Sequence, residues 1–306
     1  MAQLDDEDER AILLALLEAR PSRMTWPQIA SEVTLRGSAS ALWDEAFPPM
    51  LDGVNDAEGL IAQSRTRLAE WAESDFELLT VLDPDYPLAL REIHQIPPFL
   101  FIRGKLNCEE LAVSVVGSRD ASARGVDIAG RIAQGLVERG ISVLSGLAAG
   151  IDTAAHTAAL KVGGRPIGVI GTGIKGVYPA ANRSLHLDVA KAGALISQFW
   201  PDAPPRKQNF PMRNATMSGL GRVSIVVEAG ENSGARIQAR VAVEHGRPVI
   251  LTDLVVAATD WAKALIGRPG VYQAGGIVEA MDIVDQVTSA SSDDFSWPSL
   301  TDLASR

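Results

Sequence analysis

The chain has one cysteine and four histidines in 306 residues, and each scarcity removes a class of chemistry. Cys108 alone closes no internal disulfide and begins no zinc cluster, so it reads as an ordinary small apolar residue. His94, His156, His186 and His245 are scattered, with no pair at the i, i+4 spacing of a helical zinc site; neither a metal nor another cofactor is expected. His156, in AAHTAAL, fits packing better than catalysis. The Walker-type G-x-x-x-x-G-K-[ST] run is missing, so ATP hydrolysis is not indicated. No stretch approaches the roughly 18 uninterrupted apolar residues of a membrane span, and MAQLDDEDER lacks the basic-then-apolar layout of a signal peptide. A cytoplasmic protein without a membrane partner is the expectation.

A basic excess is also lacking. With 28 Lys+Arg against 38 Asp+Glu the formal charge is −10, whereas a polyanion binder is expected to carry a basic footprint. The distribution changes that reading: residues 1–85 hold 18 acidic and 6 basic residues, and 86–306 hold 20 acidic and 22 basic. The acidity thus belongs to the first part of the chain. Salt screens fields beyond roughly 8–10 Å, so a local basic patch on the second part can still attract a phosphate chain.

From Asp8 to about Glu77 the periodicity is helical, as in AILLALLEAR with apolar Ile12, Leu13, Leu16 and Leu17. DPDYPLAL breaks the pattern, and IPPFLFIRG reads as an extended connector. Beyond it β-branched runs (LAVSVVG, ISVLSG, PIGVIGTG, ALISQ, VSIVVEA, RPVILTD) alternate with amphipathic ones. In ARGVDIAGRIAQGLVERG, for example, Ala129, Ile132, Ala133 and Leu136 share a face opposite Arg124, Asp127, Arg131 and Glu138. Strands buried on both faces and joined by helices make a doubly wound α/β sheet, mainly parallel. The expected domains are a small all-helical unit at 1–82, a Rossmann-like domain at 83–287 and a disordered Ser/Asp-rich tail at 288–306.

In open α/β sheets ligands bind beyond the carboxyl ends of the strands. Four of those turns are glycine-rich: GSR at 117–119, SGLAAGID at 145–152, GTGIKGVYP at 171–179 and EAGENSGA at 228–235. Glycine lets backbone approach a phosphate, and helix N-termini present free N–H groups; the bland alternative is that the glycines only make tight turns. A dinucleotide would need G-x-G-x-x-G after the first strand and an acidic residue ending the second. Both are absent, and GTGIKG follows the third strand. Arg119 in the first turn suits a bidentate phosphate contact. In PPRKQNFPMRNATMSGL, Lys207, Phe210 and Arg213 are spaced three apart. They either cap the sheet and face solvent or form a platform on which cations hold a backbone while the ring stacks on a base. Asp152 reads as a helix N-terminal cap. Glu228 is open between orienting loop N–H groups and binding a ligand hydroxyl.

Taken in order, YPLALREIHQIPPFLFIRG, VVGSR, SGLAAGIDTAAH, GVIGTGIKGVYPAANRSL, ISQ, NFPMRN, VVEAGENSGA and VEHGRPV resemble the DNA-processing A (DprA/Smf) family from about Tyr86 to Val249. The resemblance implies an extended Rossmann-like domain preceded by a SAM-like helical module. It also implies a non-enzymatic, dimeric single-stranded DNA binder that loads a RecA-type recombinase during natural transformation or related recombination. Carried over by position, Arg119 would grip phosphate beside Gly117 and Ser118. Lys207, Phe210, Arg213 and Asn214 would form the second contact, and the remaining turns would contribute Gly146, Gly171, Gly173, Lys175, Ser233 and Gly234. The chain departs from the family pattern at Ala215, Gln198 and Gln238, in the alanines of YPAAN, and in LVVAATDWAKALIGRPG after the sixth strand. No winged helix is expected after Gln286. A second reading is a small-nucleotide sensor or a LOG-like nucleoside-monophosphate phosphoribohydrolase, although EAGENSGARIQA lacks the GT and the spaced glutamate of that group.

Overall fold

The computed structural model describes residues 6–48 and 56–293. The N-terminal part is helical: α1 (Asp6–Ala19), α2 (Trp26–Arg36), α3 (Ala39–Ala46) and α4 (Asp56–Ala72). Seven consecutive residues of α1, Ala11 to Leu17, are buried, so this helix is enclosed on all sides rather than amphipathic. Local signals set the ends of α2. The Gln28 side chain accepts from the Thr25 N–H at 2.8 Å as in a capping box, and Gly37 closes the helix with φ +65°, a conformation glycine adopts without strain.

The rest is one sheet with helices on both faces. In chain order it comprises β1 (Glu77–Thr80), α5 (Leu88–Arg91), β2 (Phe99–Gly104), β3 (Ala112–Val116), α6 (Ala123–Glu138), β4 (Ser142–Ser145), α7 (Ile151–Lys161), β5 (Pro166–Val169), α8 (Arg183–Ala192) and β6 (Ala194–Ser197). There follow α9 (Asn209–Leu220), β7 (Val223–Val226), α10 (Gly234–Glu244), β8 (Val249–Thr252), α11 (Asp253–Ala258), α12 (Asp260–Leu265), β9 (Val271–Ala274) and α13 (Ile277–Asp293). Among the described residues the strand order is β1-β2-β6-β5-β4-β3-β7-β8-β9. Strands β3 to β9 run parallel, and β2 joins β6 antiparallel. From β3 the chain winds outward through β4, β5 and β6, then α9 carries it back to β7 on the other side of β3. That reversal opens a crevice at the carboxyl ends of β3 and β7, where doubly wound sheets bind ligands.

The α/β class stands as the sequence indicated, with differences at the margins. The stretch read as helical up to residue 82 already contains β1, and the stretch read as a connector contains β2; Leu79 pairs with Leu100 and Phe101 with Ser197. One hydrophobic core also runs from α1, α2 and α3 into β2 and β6. Trp26 packs on Phe99 at 5.3 Å and on Trp200 at 5.4 Å, and Trp71 meets Phe101 at 5.0 Å. Arg10 pairs with Asp83 across the same seam. Residues 288–293, placed in the expected disordered tail, extend α13; the remainder of that tail lies outside the described residues. The other face of the sheet is closed by α6, α7 and α13, with Ile132, Leu136, Ile151 and Val284 fully buried.

Candidate nucleic-acid interface

The turn after β3 is anchored through Ser118. Ser118 N–H donates to the Glu228 carbonyl at 2.6 Å, and the Ser118 carbonyl accepts from Ile151 N–H at 3.1 Å. The Ser118 hydroxyl accepts from Asp120 N–H at 3.1 Å and donates to the Asp120 carbonyl at 3.0 Å. Tied on both sides, the turn holds out the Arg119 side chain, which is exposed and has no acidic partner among the described residues. Its guanidinium carbon sits 5.2 Å from the centre of the Phe210 ring, within cation–π range.

Phe210 is held by α9, which starts where Asn209 donates to the Gly171 carbonyl at 3.1 Å and to the Pro204 carbonyl at 3.3 Å. The ring lies on the bare backbone of Gly171, where a Cβ would come within 2.8 Å of it. Tyr178, 42 % exposed, stands 5.5 Å away at a 50° tilt. Arg119, Gly146, Ala148, Tyr178, Phe210 and Arg213 enclose a cleft of about 150 Å³, with two rings and one free cation at its mouth.

Beneath the cleft lie two buried opposite charges, Arg213 and Asp152, which act on each other through space and share no hydrogen bond. Arg213 donates from Nη1 to the Val169 carbonyl at 2.8 Å, and its guanidinium fills the space a side chain at Gly146 would need: a Cβ there would lie 1.6 Å from that nitrogen. Asp152 accepts from Gly146 N–H at 3.1 Å and Ala148 N–H at 3.3 Å, so it orders the preceding loop instead of capping its own helix. Burial pushes the Asp152 carboxyl up from its ordinary value, with Arg213 opposing that shift, and burial pushes Arg213 down, with Asp152 opposing. His156, fully buried below, is held near a pKa of about 3 by desolvation, which keeps it neutral.

This arrangement of turns and helices is found in known proteins. A family model described as DNA recombination-mediator protein A matches residues 77–267. The chain belongs to that family. DNA processing protein DprA of Bacillus subtilis is 34% identical over 244 residues, 78% of either chain. The namesake from Streptococcus pneumoniae is 43% identical over 175 residues, and Protein Smf of Synechocystis is 41% identical over 187. The alignments with these two span 62% and 47% of their lengths. The X-ray structure of the Streptococcus pneumoniae protein superposes with a TM-score of 0.68 at 29% identity, covering 92% of this chain and 98% of that one. A Helicobacter pylori DNA processing protein A, at 22% identity and TM-score 0.62, shares the fold over 70% of this chain and 98% of its own.

Within this family fold, the structure brings Arg119, Gly146, Gly171 and Phe210 to one cleft, with Arg213 as its floor; Gly117 and Ser118 do not line it, Gly117 packing against Ile151 and Glu228 and Ser118 anchoring the turn behind Arg119. Other expected contacts are placed differently. Arg213 is only 5 % exposed and Asn214 only 7 % exposed; Asn214 donates to the Gly234 carbonyl at 3.3 Å, tying α9 to α10. Gly173 is buried under the Trp200 and Pro201 carbonyls. Ser233 caps α10, accepting from Ala235 N–H at 3.2 Å, and Gly234 opens that helix in an exposed position. Lys175 pairs with Asp202 at 3.1 Å outside the cleft. Lys207 and its neighbour Arg206 are exposed on the loop leading into α9 with no acidic partner among the described residues.

Glu228 orients loop donors: its carboxylate accepts from the Ser122 hydroxyl at 2.7 Å and the Ser122 N–H at 3.0 Å. The departures from the family pattern at Gln198, Ala215 and Gln238 are all buried, so they alter packing and leave the cleft surface untouched. Two residues escaped the sequence reading. Tyr178 had a usable signal, an aromatic beside proline in a glycine-rich turn; Arg206 was hidden among prolines and polar residues.

Proposed function

We propose that the chain is a non-enzymatic single-stranded DNA-binding protein that acts as a recombination mediator. The observation that carries the reading is Arg119, a free guanidinium held over the half-exposed Phe210 ring at 5.2 Å at the mouth of a cleft. A cation beside a stacking ring takes one phosphate and one unpaired base, a combination that a duplex with its bases stacked inside does not offer. Arg206 and Lys207 extend the positive lip along the strand. Such contacts hold the sugar-phosphate chain without reading sequence. The Helicobacter pylori protein of the same fold is described as having a single-stranded DNA binding mode, and the family description itself names recombination mediation.

Loading of a RecA-type recombinase, a homodimeric state and action in the cytoplasm are part of the same proposal and rest on family membership. The phosphoribohydrolase reading is not favoured, because the carboxylate in the relevant turn, Glu228, is engaged by Ser122. The test is retention of a labelled oligonucleotide at low salt. Arg119→Glu and Lys207→Glu are each expected to weaken retention at least tenfold with an unchanged melting curve. Undiminished retention in both variants would overturn the reading.

A further inference from the structure

A second cleft, of about 140 Å³, opens on the other side of the turn that carries Tyr178. Arg103, Lys175, Val177, Arg183, His186 and Leu187 line it, and nothing in the reading above uses it. Three of these six side chains are cations. Arg103 is held by Asp75 at 2.8 Å and by the Ile174 carbonyl at 3.3 Å, while its Nε is buried without a hydrogen bond. His186 is 2 % exposed, and neither ring nitrogen makes a hydrogen bond of normal geometry. Buried polar groups left this way call for a partner.

The acidic groups at the rim are Asp75 and Asp202, 73 % and 77 % exposed, so their pairs with Arg103 and Lys175 are weak and exchangeable. Arg183, the first residue of α8, is exposed and has no acidic partner among the described residues. The two clefts are neighbours along the chain: Tyr178 lines the first, and Gly176 and Val177 line the second. A strand that passes over the Tyr178 ring leaves one and enters the other.

We propose that this cleft is a second phosphate subsite for the same single strand, with Arg183 as its principal cation and Lys175 released from Asp202 to join it. The inference rests on the single-strand reading of the Arg119 cleft and extends it.

The test is fluorescence anisotropy on the full chain with two labelled oligothymidylates, of about 3 and about 20 nucleotides, one below and one above the roughly 4–16 nucleotides that a single-strand binding fold covers. Arg183→Glu is expected to weaken binding of the longer strand about tenfold and to affect the shorter by less than a third as much. On the longer strand the salt slope should fall by about 0.7, one phosphate contact for a single strand. Lys161→Glu, at the far end of α7 from both clefts, is the charge control. Equal losses on both lengths, no loss on either, or the same loss with Lys161→Glu would each overturn the second subsite. A wild-type chain that binds neither length overturns the underlying reading instead, whereas loss with Arg119→Glu but not with Arg183→Glu removes only the extension.

Discussion

A guanidinium and a carboxylate buried together are stabilising only as a pair, and Arg213 and Asp152 stand in that relation under the cleft. Removing one leaves the other desolvated without its opposing charge, which costs on the order of 1–3 kcal/mol. Arg213→Met is therefore expected to lower the stability measured by chemical denaturation at pH 7 by about that amount, and Arg213→Met with Asp152→Asn to recover most of it. The pH dependence has a definite sign. Burial holds the Asp152 carboxyl above its ordinary 3.8, so just above that value the native state keeps a proton that the unfolded chain has released. Stability falls as pH rises through that window and the penalty is complete above it. The deficit of Arg213→Met should accordingly shrink as the pH is lowered from neutral toward 4. A deficit that stays constant or grows would mean that Asp152 is not the stranded group.

Between residue and fold, the turns after β3 and β7 work as one unit, because the Glu228 carboxylate reaches from one to the Ser122 donors that start α6. Gly125, in the first turn of α6, makes that reach possible: a Cβ there would lie 1.9 Å from Glu228 Oε2. Helix propensity alone favours alanine over glycine by about 1 kcal/mol. Displacing a carboxylate from its hydrogen bonds costs about 2 kcal/mol. Gly125→Ala is thus expected to destabilise the protein by about 1 kcal/mol and to weaken oligonucleotide binding several-fold by loosening the Arg119 turn; a raised melting temperature would contradict this account. The same contact shows what sequence reading reaches and what it does not. The parallel strands β3 to β8 were legible because runs such as AVSVV and VSIVV are buried on both faces, and Arg119 and Phe210 were each legible as residue types that suit a single strand, whereas the 5.2 Å contact between them was not. β1 and β2 were hidden, since a four-residue strand and a proline-flanked one resemble connectors until their partners are known. The inward placement of Arg213 and Asn214 was equally hidden, because the sequence gives their charge and polarity but not the Val169 carbonyl and the Gly234 carbonyl that receive them.

At the scale of the whole molecule, the acidic helical unit is not a detachable appendage: Trp26 and Trp71 are embedded against Phe99, Phe101 and Trp200. Over the described residues 6–48 and 56–85 its excess of ten negative charges, 16 acidic against 6 basic, is therefore fixed in place relative to a binding lip made by Arg119, Arg206 and Lys207. The two fields differ in range. Contacts between the lip and phosphates act at short distance and release counterions, giving a slope of log affinity against log salt of about −2 for three phosphates on a single strand. Repulsion from the helical unit acts at longer range and matters only when the screening length, about 10 Å at 0.1 M and about 30 Å at 0.01 M, grows to molecular size. Affinity for a short oligothymidylate is thus expected to follow the slope of about −2 above about 0.1 M and to level off as salt is lowered toward 0.01 M, instead of rising without limit. A titration that held one slope down to the lowest salt would show that the acidic helices do not act on the strand, and a slope near zero throughout would show that the lip does not hold phosphates at all.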